Sequence, residues 1–378
     1  MAGDRSVEVH EGHPSERRQV RFDWSDTPAQ WIPGDPFSSH VLNVLHLLLP
    51  TGERWFAASI NLAKEQVKDP ELREAIGPFI GQESWHAWAH TKVLEHLEEV
   101  GIDTAPYTER MDRAFKRVLG DHPSWPKFLQ GWWMRRRLGA ISAIEHFTAV
   151  LGHFALTSDA YDRYEADPVM ADLFRWHAAE EVEHRSLVFD VHVAVGGRWS
   201  QRVSTMATTI PVLFGLWIIG ANFMFKADPE IRGRIRFNLK EYRRAVREGK
   251  LPGLKVLFGT VPRYLRPGYN PVQEFDTQLA LDYLARSPAA QAAAEAADSE
   301  QVAEGGDVSF EGDIKELFRE KDRKEMAWAY DLWSHEDVSK NADVILERVE
   351  KGDMPCDGPW SEEQVDLFRR WTETGAPP

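Results

Sequence analysis

Two stretches of the 378-residue chain place glutamate and histidine where together they could grip metal ions. In the first, Glu53 is followed by Glu83 and His86, with His90 one turn beyond; in the second, Glu145 is followed by Glu181 and His184, with His177 one turn before. Each copy is a lone Glu followed by a Glu-x-x-His pair. Residues three, four and seven apart share a helix face, so Glu83, His86 and His90 point together, as do His177, Glu181 and His184. Those faces are otherwise apolar, with Ile76, Phe79, Val93 and Leu97 beside the first pair and Phe174, Ala178, Val188 and Val191 beside the second. Glu53 shares its face with Phe56, Ala57 and Ile60, and Glu145 with Leu138, Ile141 and Ala149. All four carboxylates are expected to face inward.

Four ionised glutamates inside a helical interior would each cost several kcal/mol in lost hydration. Two divalent cations would cancel that charge. A Glu from each of two helices, with Glu-x-x-His from each of two more, is the ligand set of di-iron and di-manganese bundles. The predicted ligands are Glu53, Glu83, His86, Glu145, Glu181 and His184. Mixed carboxylate and imidazole donors suit iron, with manganese as the alternative. His90 and His177 are candidates for extra ligation or for orienting a ligand by hydrogen bond, and Asp190 could orient a ligating imidazole. His146 points about 100° away from its neighbour Glu145 and is expected to pack or to brace the site from behind.

These groups must be held by long helices. Breakers fall at Pro50 with Gly52, Asp69 with Pro70, Gly101 to Pro106, His122 to Pro126, Asp167 with Pro168, and Gly196 with Gly197, and few segments alternate with period two. An all-α fold is expected, with an irregular N-terminal arm over 1–35 and a four-helix bundle over 36–200. Glu53 lies about 17 residues before the turn at Pro70, and Glu83 and His86 about 13 to 16 after it, so both sit about 20–25 Å from the turn. Glu145 and Glu181 are placed in the same way, about 12 residues before and 13 after the turn between Thr157 and Pro168.

The segments GERWF (52–56), FIGQESWHAWAH (79–90), AISAIEHFTAVL (140–151) and WHAAEEVEHRSLVFDV (176–191) resemble a bacterial ferritin-like family of predicted metal-dependent hydrolases, in order and over roughly residues 20–270. The resemblance implies a di-metal carboxylate bundle, with the same six residues as ligands, and hydrolysis as the reaction. The ligand set taken alone favours O2-dependent oxidation of a small substrate, and the apolar segment at 204–225 suggests that the substrate is hydrophobic. A non-catalytic metal-handling bundle is the third expectation.

Beyond the bundle, Ser204 to Phe225 is a 22-residue run without charge, and residues 226–268 carry 12 Lys and Arg against 4 Asp and Glu. Such an order suits a membrane-surface contact on the cytoplasmic side, so 201–285 is expected to form an apolar helix and a basic helical extension. Residues 286–308 have a linker composition, and 309–378 are expected to form a small helical module. Its Met354-Pro355 followed by Trp360 resembles the tail of small cytochrome-like modules, but without Cys-x-x-Cys-His no covalent haem is expected.

A net charge of −15 excludes a global basic face for nucleic acid, and a lone cysteine, Cys356, excludes an internal disulfide. The first 20 residues lack the apolar core of a signal peptide, so a cytoplasmic protein is expected. The expected partners are a small-molecule substrate and, for the chain itself, a second copy in a homodimer.

Overall fold

The computed structural model describes residues 18–232, 234–304, 308–327, 329–351, 354–355, 358–373 and 375–378. Cys356 and the first 17 residues of the expected arm lie outside them. Among the described residues the fold is all-α, with no strand. Two compact units divide the chain, Met1–Ala294 and Glu295–Pro378.

Three long helices of the first unit begin with the same device. Asp35, Asp69 and Asp167 each precede a proline, and each carboxylate accepts a hydrogen bond from the first turn: from Ser38 N at 3.1 Å, Glu71 N at 3.0 Å and Met170 N at 2.9 Å. The aspartate caps N–H groups that have no helical partner, and the proline fixes φ where no donor is needed. They start α1 (Pro36–Lys64), α2 (Pro70–Glu99) and, after α3 (Ala105–Ala114), α4 (Lys127–Thr157) and the short α5 (Ala160–Arg163), the helix α6 (Pro168–Glu183). Next come α7 (Leu187–Ala194) and α8 (Trp199–Ala227). Helices α1 and α2 pack as one hairpin, α4 and α6 as another, and α8 lies against α1 and α4. Gly220 permits that last approach: a Cβ there would come within 2.8 Å of Val44.

Two departures from the sequence expectation matter for the site. Helix α1 runs unbroken through Pro50 and Gly52. An interior proline costs about 3 kcal/mol, but Leu47, Leu48 and Leu49 on one side and Trp55 and Phe56 on the other are all buried. Tertiary packing outweighs the local preference. Conversely, the helix carrying Glu181 ends at Glu183, and His184 is its C-cap rather than an interior residue. At the break the buried Arg185 bonds the carbonyls of Pro271 and Val272 and the Thr277 hydroxyl, at 3.2, 3.1 and 2.9 Å.

The described part of the N-terminal arm is packed rather than loose. Val20, Trp31 and Ile32 are fully buried, the Trp31 indole donates to Asn43 at 2.9 Å, and Trp85 donates to the Val20 carbonyl at 2.9 Å. After α8, the chain forms α9 (Leu239–Arg247), α10 (Leu254–Gly259), α11 (Val261–Tyr264) and α12 (Thr277–Leu284). Arg244 and Lys250 return to the capping carboxylate of Asp35 at 2.8 and 2.9 Å. The stretch expected as a linker, 286–308, contains the helix Pro288–Glu304, in keeping with its alanine content.

The second unit has its own core of Phe310, Ile314, Phe318, Leu332, Val338, Ile345, Phe368 and Trp371. Its C-terminal residues close that core, the Trp371 indole donating to the Pro377 carbonyl at 2.7 Å.

Candidate metal centre

Helix α1 delivers Glu53, α2 delivers Glu83 and His86, α4 delivers Glu145, α6 delivers His177 and Glu181, and His184 comes from the α6 C-cap. All seven side chains are buried. Two overlapping groups of donors form: Glu53, His86, His177 and Glu181 in one, and Glu83, His86, Glu181 and His184 in the other, with one ligand atom of each residue within 4.8 Å of the rest of its group. His86 and Glu181 belong to both. Glu145 joins through His184, whose Nδ1 lies 3.1 Å from Glu145 Oε2 while its Nε2 lies 3.5 Å from Glu83 Oε1.

Many of these polar atoms have no hydrogen-bond partner. Both oxygens of Glu53 and of Glu83, Oε1 of Glu145, Nδ1 of His86 and Nε2 of His184 are buried and unbonded. In a folded protein nearly every buried polar atom is bonded, and an orphaned one costs about 1–3 kcal/mol. Their convergence at one place is what cation ligands require, so the donor set fits a metal site.

The electrostatics carry the same message. Burial, then the neighbouring carboxylates Glu181 and Glu145, push Glu53 well above the ordinary carboxylate range. Burial and the same two neighbours do so for Glu83. Burial and the Glu181 charge raise Glu145 to about 7. Burial would also raise Glu181, but the hydrogen bond from His177 and the charge of His184 bring it down to about 2. For His184, burial is outweighed by Glu145, and the imidazole rises to about 9. Without cations the cluster holds itself together by taking up protons. Divalent charge would let the carboxylates ionise together.

Around the donors stands a supporting layer. His86 Nε2 donates to Glu180 Oε2 at 2.8 Å, and Glu180 in turn accepts from the Trp176 indole and from Arg18, both at 3.1 Å. Thr148 donates to Glu181 Oε2. His177 Nε2 meets Glu181 at 2.8 Å, and behind it His177 Nδ1 lies 2.8 Å from His90 Nε2, whose Nδ1 lies 2.8 Å from His46 Nδ1. Three imidazoles thus run in series away from the acidic cluster.

Of the residues singled out in the sequence, His177 stands within a donor group and His90 stands one bond behind it. His146 turns away, to the Tyr269 hydroxyl at 2.8 Å and Thr260 at 2.9 Å. Asp190 is buried in α7, outside both groups. Sequence reasoning missed Glu180, His46, Thr148 and Arg18. A signal existed for two of them: Glu180 lies four residues after Trp176, and His46 lies seven before Glu53, on the same face of α1.

The chain matches the family described as predicted metal-dependent hydrolase over residues 16–274, which spans the whole cluster. It belongs to that family. No curated protein and no solved structure matches the chain. Membership in a family of predicted metal-dependent hydrolases agrees with the unbonded Glu and His atoms, and the two together point to metal binding and enzyme activity in the first unit.

Proposed function

We propose that the first unit is a dinuclear metal-dependent hydrolase acting on a small hydrophobic substrate. The observation that carries this reading is the pair of overlapping donor groups sharing His86 and Glu181. Glu53, Glu83, His86, Glu145, Glu181 and His184 would hold two divalent cations, and His177 would stand beside them as a hydrogen-bond donor to Glu181. Such a pair, when bound, supplies Lewis acidity and an acidified water.

The chain's own groups have distinct tasks. Glu180, fixed by Trp176 and Arg18, holds the His86 ring so that Nδ1 faces the cluster. With His177 Nε2–H donating to Glu181, the chain of imidazoles has a consistent direction: His90 donates to His177 Nδ1, and His46 donates to His90 Nδ1. His46 Nε2 is left as an unbonded acceptor. Burial holds His46 at about 3 and His90 well below the usual range, so both rest neutral. In hydrolysis of an ester, water's oxygen bonds to the acyl carbon, the bond to the leaving alcohol breaks, and one water proton ends on that alcohol.

Chelator-sensitive hydrolysis of p-nitrophenyl butyrate, restored by added divalent metal and abolished by Glu181→Ala, is the expected result. Metal-independent turnover would overturn the reading. The four-carboxylate donor set also supports a second reading, iron-dependent oxidation by O2. That reading expects O2 uptake and a transient visible absorption when the Fe(II)-loaded protein meets O2, neither of which hydrolysis needs.

Contact with a membrane surface from the cytoplasmic side is part of the proposal. Helix α8 is long and apolar enough to cross a bilayer, and only 22% of its most apolar window is buried within the chain. Val212 and Ile219 on α8 are 61% and 60% exposed. Flotation with vesicles containing anionic lipid, lost on Val212→Asp with Ile219→Asp, tests it.

A further inference from the structure

A cavity of about 250 Å³ lies beside the donor cluster, and its lining is apolar except where Thr148, His177 and Glu181 enter it. At one end stand Thr148, His177 and Glu181, members of the acidic cluster or bonded to it. Nearly everything else is aliphatic or aromatic: Leu45, Leu151, Phe214 and Trp217 are typical of the wall. The lining also includes Ile218, Leu239 and Leu254, which are 41%, 62% and 62% exposed and bring it to the surface. The cavity therefore connects buried catalytic chemistry to an apolar rim at the surface.

The wall is braced to stay open. The Trp217 indole donates to the Val41 carbonyl at 2.7 Å, which fixes α8 against α1 across the cavity. The Tyr242 hydroxyl donates to the Pro252 carbonyl at 2.7 Å and pins the α9–α10 connection, whose Leu251 and Pro252 belong to the lining. An apolar space of this kind rewards only apolar surface, because it offers almost nothing for a sugar, peptide or nucleotide to bond along its length. Its single polar end fixes where the reacting group must lie.

We infer that the substrate is a single-chain amphiphile whose unbranched alkyl chain fills this cavity and whose polar, hydrolysable group lies at the His177–Glu181 end. This inference names the substrate class of the proposed hydrolase and so rests on that reading for its catalytic part. The binding part stands on the cavity alone. Each methylene buried is worth about 0.8 kcal/mol, which corresponds to about fourfold in affinity per carbon until the chain outgrows the cavity.

Calorimetric titration of the full-length, metal-loaded protein with 1-alkanols from hexanol to dodecanol tests the binding, with p-nitrophenyl esters of the same lengths as a parallel kinetic series. The expected result is a dissociation constant that falls about fourfold per carbon and a matching fall in KM. Leu151→Trp, which fills the wall, and Ile218→Trp, which narrows the half-exposed rim and is tolerated more readily, should each flatten the dependence on chain length, with the helical circular-dichroism spectrum of the parent retained. Alkanols that bind with chain-length dependence, in a protein that hydrolyses no ester, would support the cavity assignment and defeat the hydrolase reading. Acetate ester hydrolysis with no gain from longer chains, or alkanol binding unchanged in both tryptophan variants, would overturn the inference and leave the hydrolase reading standing.

Discussion

His86 turns Nε2 to Glu180 Oε2 at 2.8 Å and leaves Nδ1 facing Glu181 Oε1 at 3.9 Å. A carboxylate behind an imidazole fixes the tautomer and raises the basicity of the nitrogen that faces a cation. Glu180→Gln removes that charge without removing a proposed ligand. Metal affinity should weaken by about 10- to 100-fold, measured by competition with a chelator of known affinity, while the fold remains.

Metal removal should make stability depend on pH in a defined direction. Glu145 rises to about 7, Glu53 and Glu83 are also raised well above the ordinary carboxylate range, and His184 rises to about 9. Groups with raised folded-state values stabilise the protein below their unfolded values, and that contribution is lost as pH climbs through the folded values. The buried histidines His46, His86 and His90 are lowered and act in the opposite sense, but only below their ordinary value near 6.5. From about pH 6.5 to 9 the raised groups act unopposed. The Tm of the metal-free protein should therefore fall across that window, and the stabilisation gained on adding metal should grow, as read by calorimetry at each pH.

The two helices of the second hairpin meet closely at Gly152, where an added Cβ would stand 2.6 Å from the Ala178 carbonyl oxygen. Gly152→Ala must push α4 from α6, one turn or two from Glu145 and Glu181. A stability loss of about 1–3 kcal/mol is expected in denaturant titration, with weaker metal binding as a consequence of the shifted carboxylates.

How much of this could be read from the chain depends on how local the cause was. The paired glutamates and histidines were legible because helix periodicity alone puts Glu83 with His86, and apolar neighbours alone put them inside. Proline at position 50 misled, since local preference argued for a break and the buried Leu47 and Phe56 decided otherwise. The helix end at His184 was not legible, because Arg185 finds its partners more than 80 residues away, at Pro271 and Val272. The cavity could not be seen at all: its wall draws on α1, α4, α6, α8, α9 and α10, and no single segment carries its pattern.

Asp35 serves two masters, the first turn of α1 and the cations of Arg244 and Lys250. Burial alone would raise its carboxyl, but the hydrogen bonds from Arg244 and Lys250 hold it well below the carboxylate range. Asp35→Asn leaves Lys250 buried with one fewer counter-charge and should cost about 3 kcal/mol at pH 7. Because a depressed carboxyl stabilises only above its unfolded value, the gap between variant and parent should narrow as pH falls below about 4. Urea denaturation at pH 7 and pH 3 makes the comparison.

The metal content of the protein, purified without chelators and measured by elemental analysis beside its Glu53→Ala and Glu181→Ala variants, bears most directly on the centre. Glu181 stands in both donor groups and Glu53 in one. The account predicts two divalent ions per chain in the parent, one after Glu53→Ala and none after Glu181→Ala. A folded parent chain that retains no metal, or a Glu181→Ala variant that still retains two ions, would contradict it.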